Sequence, residues 1–125
     1  MAAARNEFAD YVVEMMAAWA PVSARRMFGG HGLYREDLMF ALIADERLYF
    51  KADAGSIPRF EQAGSQPFTY RSATRTVTMS YWSAPESCLE SPDEMRDWCR
   101  LAYNAALSGK RDKKAADKPA KKRTT

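Results

Sequence analysis

Two acidic dipeptides constrain the fold of this chain more than any other feature. Glu36-Asp37 and Asp45-Glu46 separate three segments with strand-like patterns, which are residues 22–35, 38–44 and 47–52. A connection of about two residues joins only antiparallel neighbours, because a parallel crossover needs about a dozen residues or more. The sequence therefore predicts a three-stranded antiparallel meander in the first half of the chain.

Helical patterns stand on either side of this meander. Apolar residues recur at helical spacing from about residue 6 to residue 19, and Pro21 follows them. After the meander, Ser56 occupies an N-cap position ahead of Pro58, and Gly64 marks the end of a short helix. A helix is thus predicted before the meander and a shorter one after it.

The second half of the chain adds two strands and a helix. Residues 67–70 and 74–82 have strand patterns, and Val77, Met79 and Tyr81 are predicted to face the core. Ser91-Pro92-Asp93-Glu94 predicts a capping box, and the helix that it starts is expected to end at Ser108 and Gly109. The order α-β(3)-α-β(2)-α predicts an α+β fold of two layers, with an antiparallel sheet of about five strands covered by helices.

Charge divides the chain at Gly109. Residues 1–109 carry eleven Lys or Arg and fourteen Asp or Glu, a net charge of −3, whereas residues 110–125 carry eight and two, a net charge of +6. The second segment has no apolar periodicity, so we expect one domain over 1–109 and a disordered basic tail over 110–125.

Such a tail has two interpretations. Eight cations on a flexible arm release counterions from any polyanion and so favour salt-dependent binding to nucleic acid without sequence preference. The alternative is a solubility tail that has no partner. The candidate nucleic-acid-binding residues are Lys110, Arg111, Lys113, Lys114, Lys118, Lys121, Lys122 and Arg123.

Several protein classes are disfavoured. The longest apolar run has seven residues, 38–44, whereas a membrane-spanning helix needs about 20. Acidic residues interrupt the alanine-rich N-terminus at helical spacing, which a secretory leader would not show. Cys88 and Cys99 have no metal-binding spacing and are interpreted as reduced thiols. We therefore expect a cytoplasmic protein with no membrane segment, metal or cofactor.

The stretch MFGGHGLYRED, residues 27–37, is the most enzyme-like in the chain, because it surrounds the lone histidine, His31, with glycines. A strand and a turn follow it rather than a helix, which disfavours a phosphate-binding loop. His31 lacks the further ligands of a zinc site and the motif of a nucleophilic triad. The glycines are better explained by a bulge or sharp bend in a long first strand, where backbones approach closely or φ becomes positive.

Two further possibilities remain open. A small enzyme or ligand-binding domain would use the Gly29–Tyr34 region with Tyr34 or Tyr81. Trp82, beside the alternating strand, is a candidate interface residue, and Arg71 and Arg75 flank a turn where they would reach phosphates.

Blocks along almost the whole body, over about residues 5–107, resemble the N-terminal domain of the TfoX/Sxy family. They are residues 26–34, 39–43, 48–51, 67–70, 79–81 and 92–98. The signature positions are Met27, Phe28, Gly29, Gly30, Gly32, Tyr34 and Tyr81.

The resemblance implies a non-enzymatic regulatory module. The family is known for a bacterial regulator of natural competence that acts with a cyclic-AMP-dependent activator to turn on DNA-uptake genes. The resemblance also implies an α+β fold similar to that of secretion chaperones, among which homodimers are common. The family supplies no catalytic residues. We therefore expect a homodimer that contacts a protein of the transcription machinery. Full-length regulators carry a helical C-terminal domain, in whose place this chain has the basic tail.

Overall fold

The structure, a computed structural model, describes residues 7–27, 30–71 and 76–117. For residues 70–71, 76–79 and 110–117 it describes the backbone only. Its helices are α1 (Glu7–Met16), α2 (Ile57–Gln62) and α3 (Pro92–Asp117), and a short 3-10 helix occupies Glu86–Leu89. Its strands are β1 (Ser23–Met27), β2 (Gly30–Arg35), β3 (Leu38–Ala44), β4 (Arg47–Lys51), β5 (Pro67–Arg71) and β6 (Thr76–Ser83).

These six strands form one antiparallel sheet in the order β1-β2-β3-β4-β6-β5. The α+β class and the antiparallel meander are confirmed, because β2, β3 and β4 pair in sequence. The sheet has one strand more than predicted. The segment 22–35 is two antiparallel strands rather than one bent strand, with Met27 paired to Gly30 across the connection. The connecting residues, 28 and 29, lie outside the described part of the chain.

The two acidic dipeptides form the predicted hairpin turns. Glu36 and Asp37 have φ values of 51° and 66°, and Asp45 and Glu46 have values of 53° and 58°. Positive φ at both central residues is the geometry of the type I′ turn, whose twist matches that of the flanking strands. The demand of a tight hairpin therefore outweighs the preference of these side chains for negative φ.

The helices cover one face of the sheet and enclose the core. Leu33, Phe40, Ile43 and Phe50 are fully or almost fully buried on this face. The helices contribute the other side of the core, through Val12, Met16, Phe60, Met95, Cys99, Ala102 and Ala106. Met95, Cys99, Ala102 and Ala106 of α3 are buried. Trp98 is half-buried and packs against Phe60 with ring centroids 4.8 Å apart.

The helix starts differ from prediction in detail. The Ser91 hydroxyl accepts a 3.3 Å hydrogen bond from the Glu94 N–H, as predicted, but the Glu94 carboxylate accepts from the hydroxyl of Ser87. Ser56 does not cap α2 with its side chain. Instead, Ser56 and Asp53 exchange hydrogen bonds of 2.9 and 3.0 Å between side chain and backbone, which fixes the turn ahead of α2.

The last helix is longer than predicted. It does not end at Gly109 but continues to Asp117, so the first half of the basic tail is helical. Lys, Arg and Ala are strong helix formers, and one interior glycine costs only about 1 kcal/mol relative to alanine. The rest of the tail, residues 118–125, lies outside the described residues, and its predicted disorder stays a prediction.

At its end that pairs with β4, strand β6 does not face the way that was predicted for Tyr81. Lys51 pairs with Tyr81 and Phe50 with Trp82, and Phe50 is a core residue. Trp82 therefore lies on the helix side, where the centroid of its ring is 6.3 Å from that of the Phe60 ring. Tyr81 lies on the other side of the sheet. The strand itself was correctly predicted, but its pairing, which the pattern cannot reveal, decides which side chains face the helices.

Candidate functional site

The face of the sheet turned away from the helices, which we call the open face, is the candidate site. Side chains alternate between the two faces along each strand, so the pairing that places Leu33 and Phe50 in the core places their neighbours on the open face. Among the described side chains, the open face includes Arg25, Met27, Tyr34, Met39, Leu42, Arg47, Tyr49, Lys51, Phe68 and Tyr81.

Two cations lie on tyrosine rings at one end of the open face. The Arg25 guanidinium is 4.2 Å from the ring centroid of Tyr34, and the Lys51 ammonium is 5.3 Å from that of Tyr81. The two tyrosines are close enough to interact. Burial raises the pKa of Tyr81 to about 12, and the phenol of Tyr34 adds to that rise. The open face thus carries two cation–phenol pairs, one on β1 and β2 and the other on β4 and β6.

Gly32 allows neighbouring side chains of the open face to pack closely. A Cβ at this position would lie 2.8 Å from the sulfur of Met27, 3.0 Å from the ring of Tyr34 and 3.1 Å from the sulfur of Met39. These three side chains therefore pack directly against the Cα of the glycine. The signature positions Met27, Gly32 and Tyr34 form one contact group, which gives them a shared structural role.

Gly30 serves a different purpose. A Cβ there would overlap the backbone carbonyl oxygen of Ile43 in β3. Neither Gly30 nor Gly32 has positive φ. Of the two alternatives expected for these glycines, close backbone approach is confirmed for Gly30, and positive φ is found at neither Gly30 nor Gly32.

Lys51 connects the open face to the basic end of α3. Its ammonium donates a 2.6 Å hydrogen bond to the hydroxyl of Ser80. Gly109 lies beside it, since a Cβ there would be 3.8 Å from the Lys51 Cε. Partial burial lowers the pKa of Lys51, and nearby Asp53 opposes that shift. The basic turns of α3, which begin at residue 110, therefore start next to a cation of the sheet.

The strands carry charge of one sign. Within the six strands there are six Lys or Arg residues and no Asp or Glu. The cations are Arg25, Arg26, Arg35, Arg47, Lys51 and Arg71. Carboxylates are confined to turns, helices and other segments between strands, so the negative net charge of residues 1–109 hides a basic sheet.

His31 is separated from the tyrosines that the enzyme interpretation combined with it. It pairs with Ile43 and so faces the helix side, opposite Tyr34 and Tyr81. Its Nδ1 is buried and has no hydrogen-bond partner among the described residues. A catalytic group that joins His31 to either phenol is therefore ruled out by the fold.

The thiols and carboxylates do not form a reactive centre within the described ranges. Cys88 and Cys99 are both buried. Burial raises the pKa of Cys88 to about 12 and also raises that of Cys99, which holds both as thiols. No group of three or more His, Cys, Asp or Glu residues in the part that the structure describes has the arrangement of a metal site.

The tail residues and the remaining candidates are placed as follows. Lys110, Arg111, Lys113 and Lys114 lie in the last two turns of α3. Lys118, Lys121, Lys122 and Arg123 lie outside the described residues, as do Phe28, Gly29 and Arg75. Arg71 ends β5. Trp82 packs against the core, and its role as an interface residue stays a prediction.

Sequence reasoning missed the contribution of β4 to the open face. Arg47, Tyr49 and Lys51 alternate with buried Leu48 and Phe50 in RLYFK, a pattern that predicts one polar and aromatic face. Tyr49 also meets Phe68 of β5 edge to face, with ring centroids 4.8 Å apart. That period-two signal was available in the sequence, whereas the contact with β5 depends on the strand order.

No helix within the described ranges combines the length and apolar character needed to cross a membrane.

Known proteins match most of the domain. The family described as TfoX N-terminal domain matches residues 14–106. A DNA transformation protein, TfoX1 of Aliivibrio fischeri, is 38% identical over 68 residues, which cover 54% of this chain and 32% of that protein. Protein Sxy of Escherichia coli is 27% identical over 97 residues, 78% of this chain and 46% of that protein. This chain thus spans less than half the length of either relative. Since the family match covers well over half of the chain, the chain belongs to the TfoX N-terminal domain family.

Proposed function

We propose that this chain is a non-enzymatic regulatory domain that helps control genes for DNA transformation and contacts nucleic acid through the basic end of α3. Its relative in Aliivibrio fischeri is named a DNA transformation protein, which supports the regulatory part. The separation of His31 from Tyr34 and Tyr81 supports a role in interaction rather than catalysis.

One observation carries the nucleic-acid part. Helix α3 continues without interruption from the core to Asp117, and Lys110, Arg111, Lys113 and Lys114 follow directly on Gly109. A helical backbone holds these residues at fixed spacing, so binding to a phosphate backbone does not have to order this segment. These residues and Lys51 together supply at least five cations at one end of the molecule.

Binding of the full chain to a mixed-sequence 20-bp duplex, followed by fluorescence anisotropy, tests this proposal. The variant K110Q/R111Q/K113Q/K114Q keeps the length and helix propensity of the segment. We expect it to weaken binding at least ten-fold at 50 mM salt and to reduce the salt dependence, since each phosphate contact contributes about −0.9 to the slope of log K against log salt.

A control variant removes three cations from the helical side of the body. R59Q/R96Q/R100Q changes three Arg residues of α2 and α3, and it is expected to bind the duplex nearly as well as the unchanged chain. Equal binding by the tail variant and the unchanged chain would contradict a nucleic-acid role for this end of α3.

The regulatory part of the proposal requires a protein partner, which we propose to seek in the transcription machinery. Affinity capture from extract of the source bacterium, with and without nuclease, separates direct protein contacts from those that nucleic acid bridges. Loss of every captured protein after nuclease treatment would contradict a direct protein contact. The homodimer stays a prediction that sedimentation of the purified chain would check.

A further inference from the structure

The open face has the chemistry of a surface for polyanions. Its charged strand residues, Arg25, Arg47 and Lys51, are all cations. Two carboxylates that follow strands of this face are engaged in other interactions. Asp37 forms a 2.7 Å ion pair with Arg25, and Asp53 accepts a hydrogen bond from the Ser56 N–H. The face therefore presents a net positive charge, although the body as a whole is acidic.

Aromatic rings lie among these cations. Tyr34, Tyr49 and Phe68 are half-buried, so part of each ring remains accessible to a ligand. Arg47 is exposed beside Tyr49 on the same strand. Bases stack on aromatic rings whatever their identity, and cations beside the rings follow the phosphate backbone. A duplex keeps its bases stacked inside, so rings on a flat sheet favour single strands.

The face also continues into the basic end of α3. Lys51 lies beside Gly109, immediately before the four basic residues of the last turns. Six strands spaced about 4.8 Å apart give a surface roughly 24 Å wide between its outer strands, enough for several nucleotides. A strand of nucleic acid on the face would thus meet further cations without leaving the protein surface.

We propose that the open face binds single-stranded nucleic acid, which continues from the sheet across Lys51 onto the basic turns of α3. This inference rests on the proposed function and deepens it, because it names the form of nucleic acid and a second surface that holds it. The competing occupant of an apolar sheet face is a second copy of the chain. Such packing would bring Arg25, Arg47 and Lys51 of two copies into one interface, where their like charges repel.

The test uses the full chain and two probes of equal length, fluorescein-labelled (dT)20 and the mixed-sequence 20-bp duplex. We expect the unchanged chain to bind (dT)20 more tightly than the duplex at 150 mM salt. The variant R25Q/R47Q/K51Q should lose at least ten-fold in affinity for (dT)20. Its salt slope should become shallower by about 2, at about 0.7 for each of three contacts with a single strand.

A second variant isolates stacking from charge. Y49L/F68L keeps apolar side chains at both positions and leaves every cation in place. It should weaken (dT)20 binding at least five-fold with little change in duplex binding, because stacking requires unpaired bases. R59Q/R96Q/R100Q is again the charge-matched control, and circular dichroism checks that each variant is folded. R47Q alone, at an exposed position, tests the charge contribution without a risk to folding.

The outcomes separate the two proposals. If the open-face variants bind (dT)20 like the unchanged chain while the tail variant loses duplex binding, the open-face proposal is wrong and the proposed function stands. If Y49L/F68L converts a sedimenting dimer into a monomer and (dT)20 binding is unchanged, a second copy occupies the face and the proposal is overturned. If the tail variant binds both probes normally, the proposed function fails, and the continuation of the bound strand onto α3 fails with it. A preference for (dT)20 that the open-face variants abolish would then support binding by the sheet alone.

Discussion

At the scale of single residues, the two signature glycines have different tolerances. A Cβ on Gly30 would overlap the carbonyl oxygen of Ile43, which belongs to a central strand and cannot move without breaking the sheet. A Cβ on Gly32 would meet mainly the sulfur atoms of Met27 and Met39 and the ring of Tyr34. Methionine side chains are flexible and adjust at low cost.

We therefore expect Gly30→Ala to destabilise the protein by about 3 kcal/mol and Gly32→Ala by about 1 kcal/mol, in the range found for overpacking. Urea unfolding followed by circular dichroism measures both. Gly55→Ala, where a Cβ lies 3.7 Å from its nearest neighbour, is the control and should change stability little. A larger loss for Gly32→Ala than for Gly30→Ala would contradict this account.

The glycines also show what a sequence can predict about this site. Their clustering correctly indicated close backbone approach, because no other residue type allows it. It did not reveal the hairpin, since Met27 to Gly30 lacks the asparagine-glycine or aspartate-glycine pair typical of a two-residue turn. The placement of Tyr34 and Tyr81 on the same face depends on strand pairing, which local patterns do not reveal.

At the scale of elements, the hairpin turns carry residual strain. Glu46 has a φ of 58°, a conformation that glycine adopts without cost. Left-handed geometry costs other residues roughly 1–2 kcal/mol. We expect Glu46→Gly to stabilise the protein by about 1 kcal/mol in urea unfolding. Glu61→Gly, in the short helix α2, is the control and should destabilise by a similar amount.

Arg35 joins three elements at the end of β2. Its guanidinium lies 4.7 Å from the ring centroid of Trp19, just after α1, and 4.9 Å from that of Tyr103 in α3. Each such contact contributes about 0.5–1 kcal/mol near a surface. Arg35→Gln should therefore lower the free energy of unfolding by about 1–2 kcal/mol. Arg100→Gln removes only an exposed 3.9 Å ion pair, and we expect a change below about 0.5 kcal/mol.

The scale of elements is where sequence patterns succeed best and fail most clearly. Helices and the meander follow from periodicity and from two acidic turns. The end of α3 does not follow from the sequence pattern. A glycine and a change in composition suggest that the helix ends at Gly109, but the strong helix formers on both sides of it continue the helix. Which face of β6 meets the helices likewise follows from its pairing with β4.

At the scale of the whole molecule, buried protons link stability to alkaline pH. Burial raises the pKa of Cys88 from its ordinary 9.0 to about 12 and that of Tyr81 from 10.0 to about 12, and it also raises that of Cys99. The unfolded chain loses these protons at lower pH than the folded chain. Their contribution to stability is therefore complete below about pH 9 and is lost progressively between pH 9 and 12.

We expect the melting temperature to be steady from pH 7 to 8.5 and to fall above pH 9. Cys99→Ala should make this fall shallower because it removes one of the three groups. Ala106→Gly weakens the same helix without removing a titrating group, so its curve should be lower but equally steep. An identical slope for Cys99→Ala and the unchanged chain would contradict the assignment to this thiol.

The uninterrupted helix α3 has one more consequence. At 1.5 Å per residue, the eight residues from Lys110 to Asp117 reach about 12 Å past Gly109, and their direction is fixed by the packing of α3 on the sheet. A ligand held at Lys51 is thus already within reach of this arm, and the second contact becomes an intramolecular event. The effective concentration for this second contact depends on the stiffness of α3. An interruption of the helix at Gly109 would therefore weaken avidity without removing a single contact.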